Sequence, residues 1–274
     1  ALGLLLGLCL AIIIYWLMEN LPALWWLAAG LGYVLLSLLL TWLTPTTLIP
    51  LFFKLKPLED GELKEELVNL AQRARINIKN VLTMNLSSKA TTANAMLSGW
   101  GNSRRIIISD TLLQGYSTDE IEVTLAHELS HHLHHDIAKL MAIQAGMFLL
   151  IFYLSNLALK AGAALFSFHG ITDVAGLPWL ILVLAMLILV THPALNCYSR
   201  RMELTAVKTA LELSNNPKAF VSLMTKLTDQ NLSGAEPARW AKLLFYDHPT
   251  YNERVRLAHT TQAPSGQTFL GSTE

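Results

Sequence analysis

Charged side chains are scarce in this sequence. They account for 15% of the 274 residues, whereas 53% of the residues are apolar. Soluble globular domains carry about 25% charged residues, so this deficit indicates a membrane protein. The formal net charge is zero, and a chain without excess positive charge gives no support for nucleic-acid binding.

Cysteine is also sparse, and the start of the chain lacks basic residues. Cys9 and Cys197 lie in or at the edge of apolar stretches, so neither is expected to form a disulfide or a cysteine-based zinc site. The basic front and the small-residue cleavage site of a signal peptide are both missing. Because the chain begins without Met and is already apolar, we expect further residues upstream.

Two long apolar runs open the chain. Residues 1–18 and 21–43 contain no charged residue, and no Lys or Arg precedes Lys54. A helix needs about 20 apolar residues to cross a hydrocarbon core of about 30 Å, and both runs come close to or exceed that length. Tryptophans flank the runs, as aromatic belts do at membrane interfaces. We therefore predict a transmembrane helical hairpin at 1–43.

Two further apolar runs follow in the second half of the chain. Met141–Leu159 and Ala175–Cys197 have few polar interruptions and predict a second membrane hairpin at 137–197, which gives about four transmembrane helices. Pro193 is expected to kink or end its helix. Its neighbour His192 is interpreted as a packing residue, and a metal ligand is the alternative, because a polar group at membrane depth is often functional.

The segments 44–136 and 198–274 have the composition of a soluble domain. They carry nine Lys or Arg residues each, and the positive-inside rule places both on the cytoplasmic side. We predict one catalytic domain, interrupted by the second hairpin, with a disordered tail after Thr260. Alternation and β-branched runs predict strands within Val81–Leu86, Thr91–Leu97 and Arg105–Ser109. The predicted fold class is mostly α with a small β-sheet, an α+β zincin or gluzincin domain combined with membrane helices.

A His-Glu-x-x-His motif lies at 127–131. On a helix, His127 and His131 are one turn apart on the same face, so both imidazoles can reach one cation. Glu128 projects beside them, where its carboxylate can take a proton from water. Ser117 and Glu120 have the spacing of a capping box, which predicts the start of this helix. The motif predicts a site for one Zn²⁺.

Two histidines leave a catalytic zinc one protein ligand short, because such sites hold three ligands and keep one position open. Glu203 is the candidate third ligand. It lies in the helix that leaves the second hairpin, and the motif lies in the helix that enters it, so both are tethered at the same membrane surface. An ordinary surface glutamate is the alternative, and periodicity alone does not decide between the two. A second metal held by the neighbouring histidines is a further, weaker alternative; these are His132, His134 and His135.

Several ordered motifs resemble one family of integral-membrane zinc peptidases, the type I CAAX prenyl proteases and the related bacterial heat-shock membrane proteases. The likeness extends from about Pro45 to Arg256. The motifs are Pro57–Leu63, Asn94-Ala95, Arg105–Leu113, the His-Glu-Leu-Ser-His motif, Ser199–Ala206 and Asp247–Thr250 with Glu253-Arg254.

The resemblance implies roles for individual residues. It makes His127, His131 and Glu203 the zinc ligands and Glu128 the general base. It also implies that His248 and Arg254 stabilise the tetrahedral oxyanion. In the same way, it places Asn94 and Ala95 on the edge strand against which an extended substrate is laid.

The sequence departs from the family pattern in two ways that matter. The family usually has Asp four residues after the glutamate ligand, where this chain has Val207. Such an Asp orients a ligating imidazole; Asp110, Asp136 and Asp247 are the candidates to replace it. Moreover, we count four spans, where the prenyl proteases have seven that enclose a chamber.

Together these features predict a membrane-embedded zinc metalloendopeptidase that hydrolyses membrane-associated proteins or peptides. A bacterial inner membrane is favoured as its location. Dedicated processing of prenylated C-termini and a non-catalytic membrane scaffold remain the alternatives. Because His131 and Glu203 lie within two helical turns of membrane runs along the chain, we expect the metal near the bilayer surface.

Overall fold

The computed structural model describes residues 2–99, 101–230 and 237–262. It divides into two compact units, each built from separated segments of the chain. One unit comprises 1–42 and 138–195, and the other comprises 43–137 and 196–274. The disordered tail was predicted to begin after Thr260, but residues 261 and 262 still belong to the last helix, which ends at Gln262. The rest of the tail lies outside the described residues.

The first unit consists of apolar helices. They are α1 (Leu2–Asn20), most of α2 (Trp25–Leu43), most of α7 (Asp136–Leu165) and the first part of α8 (Leu177–Ser214), with a short 3₁₀ turn at Val174–Gly176. Within the described part of the chain, four helices are long and apolar enough to cross a membrane. This confirms the predicted number of spans.

Specific polar and small-residue contacts fix the packing of this unit. Trp25 is fully buried, and its indole N–H donates a 2.9 Å hydrogen bond to the side-chain oxygen of Asn156. The Trp179 indole N–H donates to the carbonyl of Ala158 at 2.9 Å. Gly162 allows this approach, because a Cβ there would lie 2.4 Å from the Trp179 indole nitrogen. Both indole N–H groups therefore have the partner that a water-free environment requires.

Of the two outcomes expected at Pro193, a kink or a helix end, the second does not occur, because α8 continues through Pro193 to Ser214. A proline inside a helix removes one backbone hydrogen bond. The long run of helix-compatible sequence on both sides outweighs that local loss, so the helix does not end at Pro193. As a result, the segment that carries Glu203 is the same helix as the fourth apolar run.

The second unit contains a four-stranded mixed sheet in the order β1-β2-β4-β3. The strands are β1 (Leu55–Pro57), β2 (Asn80–Met84), β3 (Ala95–Ser98) and β4 (Arg105–Ser109). β2 and β4 are parallel, and each pairs antiparallel with the edge strand on its other side. β4 has the predicted bounds, β2 and β3 are shifted or shorter, and β1 was not predicted.

Helices cover the sheet and complete the second unit. A π-helical turn (Thr44–Leu48) and α3 (Ile49–Phe52) lead from α2 into β1, and a 3₁₀ turn (Gly101–Ser103) precedes β4. The longer elements are α4 (Glu62–Arg73), α5 (Asp110–Gly115), α6 (Thr118–Leu133), α9 (Pro217–Gln230), α10 (Arg239–Phe245) and α11 (Tyr251–Gln262). The sheet's two faces have separate cores, because alternate residues of β4 point in opposite directions: Ile106 and Ile108 pack with α4 and α6, and Ile107 packs with Leu82 and Met84. The mostly helical fold with a small sheet is thus confirmed.

Candidate metal centre and active site

The helix that carries the motif, α6, starts at the predicted capping box. The Ser117 hydroxyl accepts from the Glu120 backbone N–H at 3.3 Å, and the Glu120 carboxylate accepts from the Ser117 backbone N–H at 2.8 Å. Leu125 and Leu129 are fully buried in the core against the sheet. Burying these side chains fixes the rotation of the helix and turns the face with the motif histidines towards the site.

The two motif histidines face each other across one helical turn. Their Nε2 atoms are 3.3 Å apart, and the ring planes are nearly perpendicular with centroids 4.8 Å apart. Both side chains are about one-fifth exposed. A shared centre in front of the two Nε2 atoms is therefore accessible from solvent.

Glu203 reaches this centre from α8. Its Oε2 lies 3.4 Å from His127 Nε2, and its Oε1 lies 3.5 Å from His131 Nε2. The residue is 9% exposed, and Oε2 is buried without a hydrogen-bond partner among the described residues. One ligand atom from each of the three residues lies within 4.8 Å of the others. Two imidazole nitrogens and a carboxylate oxygen form the ligand set of many catalytic zinc sites, and an orphaned buried oxygen is what a cation would satisfy, so the residues fit zinc.

Glu128 lies beside these ligands. The surrounding protein removes water from its carboxyl and thereby raises the pKa of Glu128 to about 7; the Glu203 carboxylate adds to the rise, while His131 and His248 oppose it. A carboxyl with this pKa exists in both protonation states near neutral pH. It can therefore accept and return a proton in the same reaction cycle.

His248 and Arg254 come to the same centre from the end of the chain. His248 Nε2 lies 3.5 Å from Glu203 Oε1, and its Nδ1 is 2.8 Å from Asp247 Oδ1. Arg254 projects from α11 and places Nη2 4.0 Å from Glu203 Oε2. The Arg254 side chain is 18% exposed, and its Nε has no hydrogen-bond partner among the described residues. An imidazole and a guanidinium thus lie next to the three candidate metal ligands.

Asn94 and Ala95 lie at the start of the edge strand β3. The Asn94 backbone N–H donates to the Ser109 hydroxyl at 2.9 Å, and its carbonyl accepts from the Ser109 N–H at 2.9 Å. Both residues line a cavity that also includes His127, Glu128 and Arg254. The structure therefore brings all eight predicted site residues to one place.

This cavity has a volume of about 180 Å³ and an apolar inner wall. Sequence reasoning missed the residues of that wall, most of which belong to α9. Their apolar spacing on an amphipathic helix gave a signal for a buried face but not for what the face contacts. The apolar lining consists of Leu112, Val123, Val207, Phe220, Leu223, Met224 and Leu227.

The histidines that follow the motif have other contacts. His132 Nε2 lies 3.4 Å from the Leu97 carbonyl, and His134 Nε2 lies 3.0 Å from the Thr209 hydroxyl. In the part of the chain that the structure describes, one His, Cys, Asp or Glu group has metal-binding geometry, and it is the group with Glu203. The alternative of a second metal at these histidines is not supported.

Comparison with known proteins places this site in a family. Residues 57–262 match Peptidase family M48. The chain is similar to the "Uncharacterized metalloprotease YhfN" of Bacillus subtilis, with 31% identity over 93% of this chain and 61% of that protein. It is also similar to the "CAAX prenyl protease 1 homolog" of Oryza sativa subsp. japonica, with 32% identity over 80% of this chain and 52% of that protein.

A solved structure has the same fold. The crystal structure of S. mikatae Ste24p matches with a TM-score of 0.79 and 25% identity, over 94% of this chain and 64% of that one. The chain thus spans between half and two thirds of the length of these relatives. The region that matches the family contains the motif, the third candidate ligand and the two basic residues beside it, so this chain belongs to peptidase family M48.

Proposed function

We propose that this chain is the catalytic part of an integral-membrane zinc endopeptidase. One observation carries the proposal: the donor atoms of His127, His131 and Glu203 converge on one centre, next to a Glu128 carboxyl with a pKa near neutral. Three protein ligands leave a coordination position for water, as catalytic zinc sites do.

The proposed reaction includes two proton transfers, one when water attacks the peptide bond and one when the amine leaves. A bound zinc would act as a Lewis acid and lower the pKa of its water towards about 7. Glu128 takes the proton from the attacking water and returns it to the leaving amine. Burial raises the pKa of the metal-free Glu128 to about 7, and a cation bound beside it would favour the carboxylate, which is the form that accepts the proton.

The negative charge that develops on the substrate carbonyl oxygen needs donors that are already in place. His248 and Arg254 meet this need, since His248 Nε2 lies 3.5 Å and Arg254 Nη2 lies 4.0 Å from the nearest Glu203 carboxylate oxygen. Arg254 is largely buried, so its position is set before substrate arrives. Its guanidinium remains charged throughout and presents several N–H groups to an oxyanion.

An extended substrate has a strand edge to pair with. β3 is the edge strand of the sheet beside the site: among the described residues no strand pairs with its outer side, although His132 contacts the Leu97 carbonyl. The strand edge at Ala95, next to Asn94 whose own backbone bonds Ser109, would hold the peptide by backbone hydrogen bonds. The apolar cavity would accept one side chain next to the cleaved bond. The proposed substrates are therefore protein segments with an apolar residue at that position.

The position of the site along the chain favours membrane-associated substrates. Glu203 follows the end of its apolar run by six residues of α8, or about 9 Å of helix, and His131 precedes the other run by seven residues that include the turn at His135. We place this face on the cytoplasmic side, as the distribution of Lys and Arg predicts. A bacterial inner membrane is the proposed location.

Processing of prenylated C-termini is the second candidate function, because one similar protein is a CAAX prenyl protease 1 homologue and the cavity beside the site is apolar. A non-catalytic scaffold is the third, and Val207 is its only support. Comparing cleavage of one membrane peptide with and without a prenylated cysteine distinguishes the first two. A rate that depends on the prenyl group would favour the processing function.

The decisive experiment measures zinc and turnover in two variants of the full chain. Glu128→Gln should abolish peptide hydrolysis while the protein still binds one zinc, because Glu128 is a base and not a ligand. Glu122→Gln is the matched control on the same helix, since Glu122 pairs with the exposed Arg73 away from the site; it should retain activity. Zinc binding with unchanged activity in Glu128→Gln would refute the proposed mechanism.

A further inference from the structure

The imidazole of His131 has a carboxylate partner behind it. Its Nδ1 lies 2.9 Å from Asp136 Oδ2, and the Asp136 side chain is 5% exposed. The chain makes a sharp turn to bring them together: His135, between α6 and α7, has a φ of 53°. That left-handed conformation is unfavourable for a non-glycine residue, so the neighbouring contacts maintain it at some cost.

This hydrogen bond selects one tautomer of His131. When Nδ1–H donates to Asp136, the proton is on Nδ1 and the lone pair is on Nε2. Nε2 is the atom that faces His127 Nε2 at 3.3 Å and Glu203 Oε1 at 3.5 Å. Asp136 therefore both orients the ring and leaves the correct nitrogen free for a cation.

The other motif histidine has no such partner. The protein contacts of His127 within the described residues are made by Nε2, and none is made by Nδ1. The neighbouring position that could supply a carboxylate is Val207, which is 1% exposed and packs with Val123, Phe220 and Leu223. The apolar side chain of Val207 offers no hydrogen-bond acceptor to the His127 imidazole.

The two other candidate carboxylates serve different groups. Asp110 accepts from the backbone N–H groups of Leu86 and Ser87 and so holds the loop that follows β2. Asp247 lies 2.8 Å from Nδ1 of His248, which is not one of the three candidate ligands. Of the three acids that could orient a metal-binding imidazole, Asp136 is the one in contact with such a ring.

We propose that Asp136 is the positioning residue of the metal centre, and that this carboxylate acts on the second motif histidine in place of the one missing at Val207. The inference rests on the proposed zinc site. Partners of this kind typically affect metal affinity by 10–100-fold. Asp136 would thus support zinc binding at a site that has a valine at 207.

The test measures zinc affinity of the full-length chain in detergent by competition with a chromogenic chelator. Asp136→Ala should bind zinc about 10–100-fold more weakly than the unsubstituted protein. Asp136→Asn keeps the size of the side chain and an acceptor oxygen, so it should bind zinc with an intermediate affinity. Replacing zinc with cobalt gives a second readout, because a reoriented imidazole shifts the visible absorption of the bound ion.

Asp247→Asn is the matched control, since it removes a carboxylate from an imidazole that is not a ligand; its zinc affinity should be unchanged. Asp136→Asn preserves the test if the alanine variant does not fold. The inference is overturned if both Asp136 variants bind zinc within twofold of the unsubstituted chain, or if Asp247→Asn is weakened equally. If the unsubstituted chain binds no zinc, the proposed function itself fails.

Discussion

Glu120 connects the start of the motif helix to the helix that lines the cavity, and its removal should destabilise the second unit. Its carboxylate is 2% exposed and accepts three hydrogen bonds: from the Ser117 N–H at 2.8 Å, the Ser222 hydroxyl at 2.7 Å and the Lys226 ammonium at 2.7 Å. Ser222 and Lys226 belong to α9. The contact therefore joins α6 and α9 through one buried acid.

The expected cost follows from these three bonds. Losing the partner of the capping N–H costs about 1 kcal/mol, and losing that of the buried hydroxyl costs about 1 kcal/mol. The Lys226 side chain is 44% exposed and can return to water, so its contribution is below about 1 kcal/mol. Glu120→Ala should therefore lower the free energy of unfolding by about 2–3 kcal/mol and the melting temperature by roughly 5–10 °C. Glu120→Gln should lose about half as much, because it retains one acceptor oxygen.

The assay is thermal unfolding of the zinc-saturated protein in detergent, followed by far-UV circular dichroism. Glu122→Gln is the control: it lies on the same helix and loses the same charge, but its Arg73 partner is 55% exposed, so the cost should be below about 1 kcal/mol. A Glu120→Ala variant as stable as Glu122→Gln would refute the reasoning.

The stabilisation should also depend on pH. Burial alone would raise the pKa of Glu120, but the hydrogen bonds from Lys226, Ser117 and Ser222 outweigh it and hold the pKa below its usual 4.5. A carboxyl with a lowered folded-state pKa contributes stability above its unfolded pKa and loses it as pH falls through the folded one. The difference between the unsubstituted chain and Glu120→Gln should be constant from about pH 6 to 8 and shrink below about pH 4.5.

Three further predictions concern the proposed active site. His248→Ala and Arg254→Ala should each lower kcat about 10²–10³-fold with zinc still bound, and unchanged kcat in both would refute their oxyanion role. Leu223→Ala should enlarge the cavity and shift the ratio of kcat/KM values about tenfold towards a substrate with a bulkier apolar residue at the cleaved bond; an unchanged ratio would mean that the cavity does not bind that side chain. Distance measurements between a paramagnetic cobalt and spin-labelled lipid should place the metal within about 20 Å of the membrane plane set by Lys139 and Arg200, and a larger distance would mean that the membrane only tethers the protease.

The features that the sequence predicted well are those determined by neighbours along the chain. The capping box at Ser117 and Glu120 depends on residues three apart, and the structure has both of its hydrogen bonds. The strand Arg105–Ser109 follows from a β-branched run and has the predicted bounds. The apolar runs likewise correspond to four long helices.

Contacts between distant segments could not be predicted in the same way. The bonds from Ser222 and Lys226 to Glu120 join residues more than 100 positions apart, and nothing in the local sequence indicates them. The approach of Glu203 to the motif was suggested by its position just after the second hairpin and by the family resemblance, whereas periodicity alone did not exclude a surface glutamate. β1 was missed because it has three residues and ends in a proline, which gives too short a pattern to recognise.

Pro193 shows a local rule that the surroundings override. A lone proline predicts a kink or a helix end, and α8 does not end there but continues for 21 residues beyond it. Hydrogen bonds and helix-compatible side chains over the whole of α8 outweigh one missing N–H.

The division of the second unit between two parts of the chain has a consequence for synthesis. The ribosome makes both motif histidines first, then the apolar segment 138–195, and only then Glu203, His248 and Arg254. Until that apolar segment has been made, the nascent chain has two metal ligands and neither basic residue. The proposed active site is therefore completed only after the second apolar segment has been made, so the order of the chain would delay the proposed proteolysis until that point.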